Sequence, residues 1–270
     1  MTDNLQKLTM LVAEVDSVTV LTGAGVSTGS GIPDYRDRNG EWKQAPPMQF
    51  GEFANSGEAR QRYWARSYVG WKRFGKAEPN AAHHALVRME SAGKIDTVIT
   101  QNVDRLHSHA GSERVIDLHG DLSKVRCIDC NETASRAAFQ HAMKQSNPDW
   151  HARVFRYRPD GDAELGSDSH LNFKVPPCLA CGGRLKPDVV MFGESVPKER
   201  VEAAMAAVDR ADALLIAGSS LMVFSGFRFA RRAHELGTPI AVVNRGKTRA
   251  DDIATLKVDA DCGEVLSMLP

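Results

Sequence analysis

The sequence has no net charge: 34 lysines and arginines balance 34 aspartates and glutamates over 270 residues. That balance removes the whole-surface attraction by which basic proteins hold nucleic acid or anionic membrane, so no specific nucleic-acid partner is expected, although local basic patches remain allowed. Long apolar runs are also missing, none approaching the roughly 18 residues of a membrane span. The opening segment MTDNLQKLTMLVAEVDSVTVLTGAG is interrupted by Asp3, Lys7, Glu14 and Asp16. It has neither the basic and apolar regions of a secretory leader nor the Arg-rich, acid-poor pattern of a transit sequence, so the expected compartment is the cytoplasm and no membrane partner is expected. There is no internal repeat and no low-complexity tract. Cysteine is scarce, at five, and four of the five fall in two close pairs. In a reducing compartment these read as metal ligands rather than disulfides. The 42% of hydrophobic residues suffices for the core of one large domain, or of a large domain with a smaller companion.

A glycine is missing too. The stretch GAGVSTGSGIPDYR, from Gly23 to Arg36, opens like a dinucleotide fingerprint, but G-x-G-x-x-G requires glycine where Thr28 stands, and the next glycines are Gly29 and Gly31. A hydride-transferring Rossmann dehydrogenase is therefore disfavoured. The loop nonetheless follows a strand-like SVTVLT, which is preceded by helically spaced Leu5, Leu8, Leu11, Val12 and Val15. Further β-branched runs occur at DTVIT, RVIDL, DVVMF, ADALLIAGSS and TPIAVVN, with the helix-like FSGFRFARRAHELG between the last two. This alternation predicts an α/β fold with a doubly wound, parallel, Rossmann-like sheet. Residues 37–90, rich in aromatics, and residues 124–186, polar and without evident structure between their cysteine pairs, break the rhythm. The expected organisation is a sheet domain from 1–36, 91–123 and 187–270, with a helical insertion at 37–90 and a smaller zinc-binding insertion at 124–186.

Cys127 and Cys130, in CIDC, and Cys178 and Cys181, in CLAC, are two C-x-x-C knuckles able to place four thiolates on one tetrahedral ion. Four sulfurs leave no open position for water or substrate, so the expectation is one structural zinc with no catalytic part, a redox dithiol being the alternative. Positions 131–177 separate the knuckles, a longer gap than a zinc ribbon's. Cys262 stands alone, as a buried or site-lining thiol.

After DTVIT comes TQNVDRLH, and after RVIDL comes HGDL. Side chains just past the carboxyl ends of parallel strands line the ligand crevice. That makes Gln101, Asn102, Asp104 and His119 candidates for cofactor contact or proton transfer, with His119 the natural base. The same residue types also serve as turn and helix-capping groups. His83, His84, His107 and His109 lack such placement and read as packing or surface residues. In AGSSL, Gly218, Ser219 and Ser220 can bring backbone N–H groups and hydroxyls to a phosphate, and Asn244 ends another strand.

Taken in order, GAGVSTGSGIPDYR, TQNVD, the HG at His119, the two C-x-x-C pairs, KPDVVMFGE and AGSSLMV resemble the sirtuins, NAD-dependent protein deacylases, over essentially the whole chain. YWARSYVGW, the insert with PDGD and NRGKTRADDIATL look most like the class II branch, which includes the mitochondrial sirtuin of animals. The resemblance implies NAD as a consumed co-substrate and acyl-lysine proteins or peptides as partners. It implies that Gly23, Ala24 and Gly25 lie along the pyrophosphate, and that Asp34, Tyr35 and Arg36 form a cofactor loop over the nicotinamide ribose. Gln101, Asn102 and Asp104 would hold ribose and nicotinamide, and His119 would be the general base. Gly218, Ser219, Ser220, Asn244 and Cys262 would line the phosphate and adenosine site. Val190, Phe192, Gly193 and Glu194 would offer a strand edge to an extended peptide, although Met191 stands where the family more often has Phe.

Tyr63 and Arg66, in YWAR, also look like the Tyr-x-x-Arg by which class III sirtuins hold an acidic acyl group. Their i, i+3 spacing would put both on one helix face, but the same aromatic segment also suits plain packing, and the acyl preference stays open. Two alternatives to deacylation share parts of this pattern: a protein mono-ADP-ribosyltransferase using the same NAD, and a non-enzymatic zinc-ribbon module.

Overall fold

The computed structural model describes residues 2–166 and 168–270. The chain opens with α1 (Thr2–Glu14), which turns Leu8 and Val12 inward, then β1 (Val18–Thr22) and a 3-10 helix over Ala24–Ser30. Next come α2 (Phe50–Asn55), α3 (Gly57–Phe74) and α4 (Ala81–Ser91). Ser56 caps α3 by accepting the Ala59 N–H, and α4 starts with a capping box in which Asn80 accepts from Ala82 and His83 accepts from the Asn80 N–H. The middle of the chain contains β2 (Ile95–Thr100), α5 (Leu106–Ala110), β3 (Val115–Asp117), β4 (Gly120–Cys127), β5 (Thr133–Ser135), α6 (Arg136–Ser146), β6 (Val154–Tyr157), β7 (Ala163–Leu165) and β8 (Leu185–Val189). The last part contains α7 (Lys198–Arg210), β9 (Ala213–Ala217), α8 (Phe224–Leu236), β10 (Ile240–Val243), β11 (Leu256–Val258) and α9 (Cys262–Ser267).

Six strands form one sheet in the order β11-β10-β9-β1-β2-β3, and every neighbouring pair is parallel. The doubly wound Rossmann-like expectation therefore holds. β1 and β9 are buried at every position, as strands must be when helices cover both faces. Val18 and Val20 join Leu8 of α1, Leu86 and Met89 of α4 and Val265 of α9 on one face, while Leu21 joins Val208 of α7 and Phe229 of α8 on the other. From β1 the chain steps to β2 and β3 on one side and later to β9, β10 and β11 on the other. The order thus reverses between β1 and β9, and in open α/β sheets that switch point is where a ligand crevice opens.

DVVMF departs from expectation. It supplies the end of β8, which pairs antiparallel with β4 in a separate sheet ordered β5-β4-β8. Arg126 fixes this pairing by donating to Asp188 across the strands at 2.8 Å. The region between the cysteine pairs also differs from its featureless reading, since it holds α6 and the β6–β7 hairpin.

A third core joins Phe53 of α2 and Tyr63, Trp64 and Tyr68 of α3 to Val125, Phe139, Phe173 and Leu185. Trp64 is fully buried and donates its indole N–H to the Leu185 carbonyl at 3.0 Å. The aromatics of 37–90 and the cysteine-bearing region are therefore packed on one another. α4, expected within the helical insertion, packs instead on the parallel sheet through Ala82, Ala85, Leu86 and Met89. Among the described residues no helix is long and apolar enough to cross a membrane.

Candidate active site

Where β1 and β9 end side by side, two glycine turns interlock. The Gly23 N–H donates to the Ala217 carbonyl at 3.2 Å and the Gly25 N–H to the Gly218 carbonyl at 2.8 Å. A Cβ on Gly25 would lie 2.8 Å from the Gly218 backbone, and one on Gly218, at φ +61°, would lie 2.4 Å from the Val26 nitrogen. Both positions thus require glycine so that the turns can touch, which gives Gly25 a use besides approach to a cofactor.

The side chains past β2 are tied into this junction. Gln101 Nε2 donates to Ser219 Oγ at 2.8 Å, and Asn102 Nδ2 donates to Ser27 Oγ at 2.9 Å and to the Gly23 carbonyl at 3.1 Å. Asp104 accepts from Ser27 Oγ at 2.7 Å and from the Leu106 N–H at 3.0 Å. Burial raises the Asp104 pKa, with those two donors opposing the rise. The neighbouring Arg105 is left-handed at φ 66°, a conformation costly for a residue with a Cβ. Its 2.6 Å pair with Asp117, at the end of β3, holds it there.

His119 follows β3. Its Nδ1 lies 2.9 Å from the Gln101 carbonyl and its Nε2 lies 2.9 Å from Ser225 Oγ. A carbonyl only accepts, so Nδ1 carries the proton and Nε2 of the neutral ring keeps its lone pair. Burial pushes His119 down to about 4, the positive charges of Arg200 and Arg228 adding to the shift and the Gln101 carbonyl opposing it. At neutral pH the ring is therefore uncharged and able to accept a proton. Ser225 lies in the first turn of α8, and the next residue is Gly226, where a Cβ would lie 2.4 Å from Gln101 Oε1. Ser-Gly thus lets the start of α8 close on the His119–Gln101 pair.

These groups line a cleft of about 1390 Å³, open to solvent. Gly23, Ala24, Gly25, Asp34, Tyr35, Arg36, Gln101, Asn102, Asp104, His119, Gly218, Ser219, Ser220 and Asn244 all reach its wall. Cys262 does not: it is buried in the core of the sheet, with its thiol 3.5 Å from the Val243 carbonyl. Val190 and Phe192 line the cleft, whereas Gly193 and Glu194 do not. Glu194 accepts the Met191 N–H at 2.7 Å and pairs with Lys186 at 2.8 Å, so it closes a turn. The expected pair Tyr63 and Arg66 is divided. Tyr63 faces the cleft, but Arg66 lies outside it, paired at 3.4 Å with the buried Asp162.

Residues not foreseen also reach the cleft. Trp42 stacks edgewise on Tyr35 and on Phe192, at centroid distances of 6.1 and 5.7 Å, and the Arg36 guanidinium lies 4.0 Å over the Trp42 ring. Phe74, Leu122, Pro159 and Asp160 line the side near Tyr63. Asp160 belongs to the β6–β7 turn, and burial raises its pKa. No spacing pattern in the sequence marks it. His83 and His107 are buried, as packing residues should be, and stack at 4.8 Å beneath the junction, with His107 Nε2 2.9 Å from Thr22 Oγ1.

The lining suits a dinucleotide: uncharged amides and hydroxyls from Gln101, Asn102, Ser219, Ser220 and Asn244, guanidiniums from Arg36 and Arg245, and a glycine junction that admits no Cβ. The cysteines fit zinc by distance. Cys127 and Cys181 sulfurs are 3.6 Å apart, those of Cys130 and Cys178 are 3.8 Å apart, and all four lie within 4.8 Å of one another. Tetrahedral zinc with Zn–S bonds of about 2.3 Å requires sulfur separations of about 3.8 Å.

The Sir2 family profile matches residues 23–225. A NAD-dependent protein deacetylase of Bordetella bronchiseptica is 53% identical over 264 residues, covering 98% of this chain and 96% of that protein. The mitochondrial NAD-dependent protein lipoamidase sirtuin-4 of Bos taurus is 44% identical, covering 99% and 86% respectively. Among solved structures, a Sir2–p53 peptide–NAD+ complex superposes with a TM-score of 0.77 at 30% identity, covering 97% of this chain and 95% of that one.

Proposed function

The chain belongs to the Sir2 family, and from that premise we infer that it is an NAD-dependent protein lysine deacylase, releasing nicotinamide and O-acyl-ADP-ribose. The observation that carries the reading is the set around His119: a buried, uncharged imidazole with Nδ1 held by the Gln101 carbonyl, in the same cleft as the Gln101, Asn102 and Asp104 side chains.

NAD would supply the ribose carbon that exchanges nicotinamide for the acyl oxygen and the ribose hydroxyl that takes the acyl group, with a water molecule releasing the lysine amine. The protein's part is placement and proton transfer. Asn102 and Asp104, fixed through Ser27, hold the nicotinamide end, and Gln101, fixed through Ser219, holds the ribose. The neutral acyl amide is a weak nucleophile, so alignment against the ribose carbon supplies much of the acceleration. The aromatic cluster of Tyr35, Trp42 and Phe192, drawn from two segments, excludes water from this step. His119 Nε2 then accepts the ribose hydroxyl proton, the Ser225 hydroxyl giving up its place on that lone pair. Val190 and Phe192 contact the substrate chain, and the zinc on Cys127, Cys130, Cys178 and Cys181 is structural.

Tyr63, Phe74, Leu122 and Met48 make the acyl side of the cleft mostly apolar, and Arg66 is committed to Asp162. These features favour uncharged acyl chains longer than acetyl, such as the lipoyl group implied by the bovine relative's name, over acidic ones. The ADP-ribosyltransferase alternative gains nothing from the relatives reported above, which are named as a deacetylase and a lipoamidase. We assign residues 1–36, 91–123 and 187–270, together with α4, to the nucleotide-binding part, and we place the protein in the cytoplasm, a reducing compartment with which four clustered metal-ligating cysteines are compatible.

The test is mass spectrometry of the purified protein with NAD and acyl-lysine peptides, following peptide mass and acyl-ADP-ribose together. Loss of the acyl group matched by acyl-ADP-ribose is the expected result. NAD cleavage with ADP-ribose appearing on protein, and no deacylated peptide, overturns the reading.

A further inference from the structure

Beyond Ser225 and the field of Arg228 at His119, the start of α8 carries features that the reaction does not use. Phe224 is 44% exposed and Val223 37%, and both follow Met222 at the rim of the cleft, where Met222 and Val223 form part of the wall. Three guanidiniums surround the Phe224 ring: Arg228 at 5.3 Å, Arg231 at 5.5 Å and Arg249 at 5.9 Å. Arg249 also lies 4.5 Å over Phe227. Arg231 pairs with Glu235 at 3.4 Å across an exposed helical turn, whereas among the described residues Arg228 and Arg249 have no carboxylate partner. A chain of zero net charge thus concentrates positive charge beside the opening of its cleft.

We propose that this aromatic and basic corner docks an acidic segment of the protein substrate beside the acylated lysine. The inference rests on the deacylase reading. Guanidinium forks match carboxylates in shape and charge, and the Phe224 face holds the arginines by cation–π contact, so less of their freedom is lost on docking. The first turn of α8 adds the positive end of its dipole. Each exposed pair contributes little alone. Several together steer encounter and select among substrates, with a strong dependence on ionic strength.

The experiment uses peptides with one acyl-lysine and an acidic, neutral or basic flank, comparing kcat/KM at low and high salt. The acidic flank is expected to be favoured over the neutral one by about five-fold at low ionic strength, the advantage fading by about 0.5 M salt. The double variant Arg231→Gln, Arg249→Gln should remove that advantage while leaving the neutral peptide unchanged, and Arg249→Glu should favour the basic flank. Equal treatment of acidic and neutral peptides by the natural protein, or a preference surviving in the double variant, overturns the proposal. Should no peptide be turned over, the deacylase reading fails, and direct binding of the same peptides by fluorescence anisotropy still decides the docking question by the same ratios.

Discussion

On the nucleotide side of the cleft, at the ends of β1, β2, β3 and β9, four polar side chains are anchored: Gln101 by Ser219, Asn102 and Asp104 by Ser27, and His119 by the Gln101 backbone carbonyl. On the acyl side, Tyr63 and Phe74 come from α3 and Asp160 from a hairpin turn. Tyr63 is part of the third core, in which Trp64 is fully buried. The first side is a closed polar network on a rigid sheet, so its geometry exists before any ligand arrives. The second is shaped by apolar packing between distant segments, and a change in that packing alters which acyl group fits without touching the chemistry.

Removing the His119 imidazole tests the first side most sharply. His119→Ala should lower turnover by about 10³-fold while NAD affinity, measured by calorimetry, changes little. An equal loss of affinity would mean that the nucleotide side depends on the imidazole for its shape.

Trp64→Ala should then separate the two sides. It empties the centre of the third core, costing about 3–5 kcal/mol by denaturant unfolding, and should weaken acyl-peptide binding far more than NAD binding. Parallel losses would mean that the sides are one unit.

Next in size is the response to pH. Burial holds His83 at about 4 and His107 at about 3, below their ordinary 6.5. The unfolded chain therefore takes up protons before the folded one does. Stability should be complete above about pH 6.5 and decline as pH falls toward 4 and then 3, seen as a falling Tm. The acid limb of kcat/KM should lie near 4, set by His119. An acid limb near 6.5 would show that the ring is not desolvated.

The smallest expected change is for Ser225→Ala, about three- to ten-fold in kcat with the NAD KM nearly constant and Ser225→Thr restoring the rate. A drop in Tm without a kinetic change would reduce Ser225 to a packing residue.

The parallel strands were legible in the sequence as apolar runs, and the residues that follow such strands land in one crevice. Gln101, Asn102, His119 and Ser219 follow strands in this way, and the structure brings all four to one cleft. The acyl side was not. The spacing of Tyr63 and Arg66 places them near one another on a helix but cannot reveal that Asp162, on a hairpin far along the chain, claims the guanidinium. DVVMF has the composition of a central strand, and only its antiparallel partner β4 puts it in the second sheet. The short edge strand β11, three residues with Lys257 in the middle, has too little pattern to read.

β4 begins at Gly120, the residue after His119, and ends at Cys127, the first cysteine of its knuckle. β8, paired to it along its length, runs from Leu185, just beyond the second knuckle, to Val189 at the wall of the cleft. The cysteine cluster and His119 therefore lie at the two ends of one antiparallel pair of strands, whose register shifts between Asp121 and Val125. Loss of the cysteine cluster is therefore expected to loosen the strand that leads to His119, read as a fall in turnover before any fall in Tm.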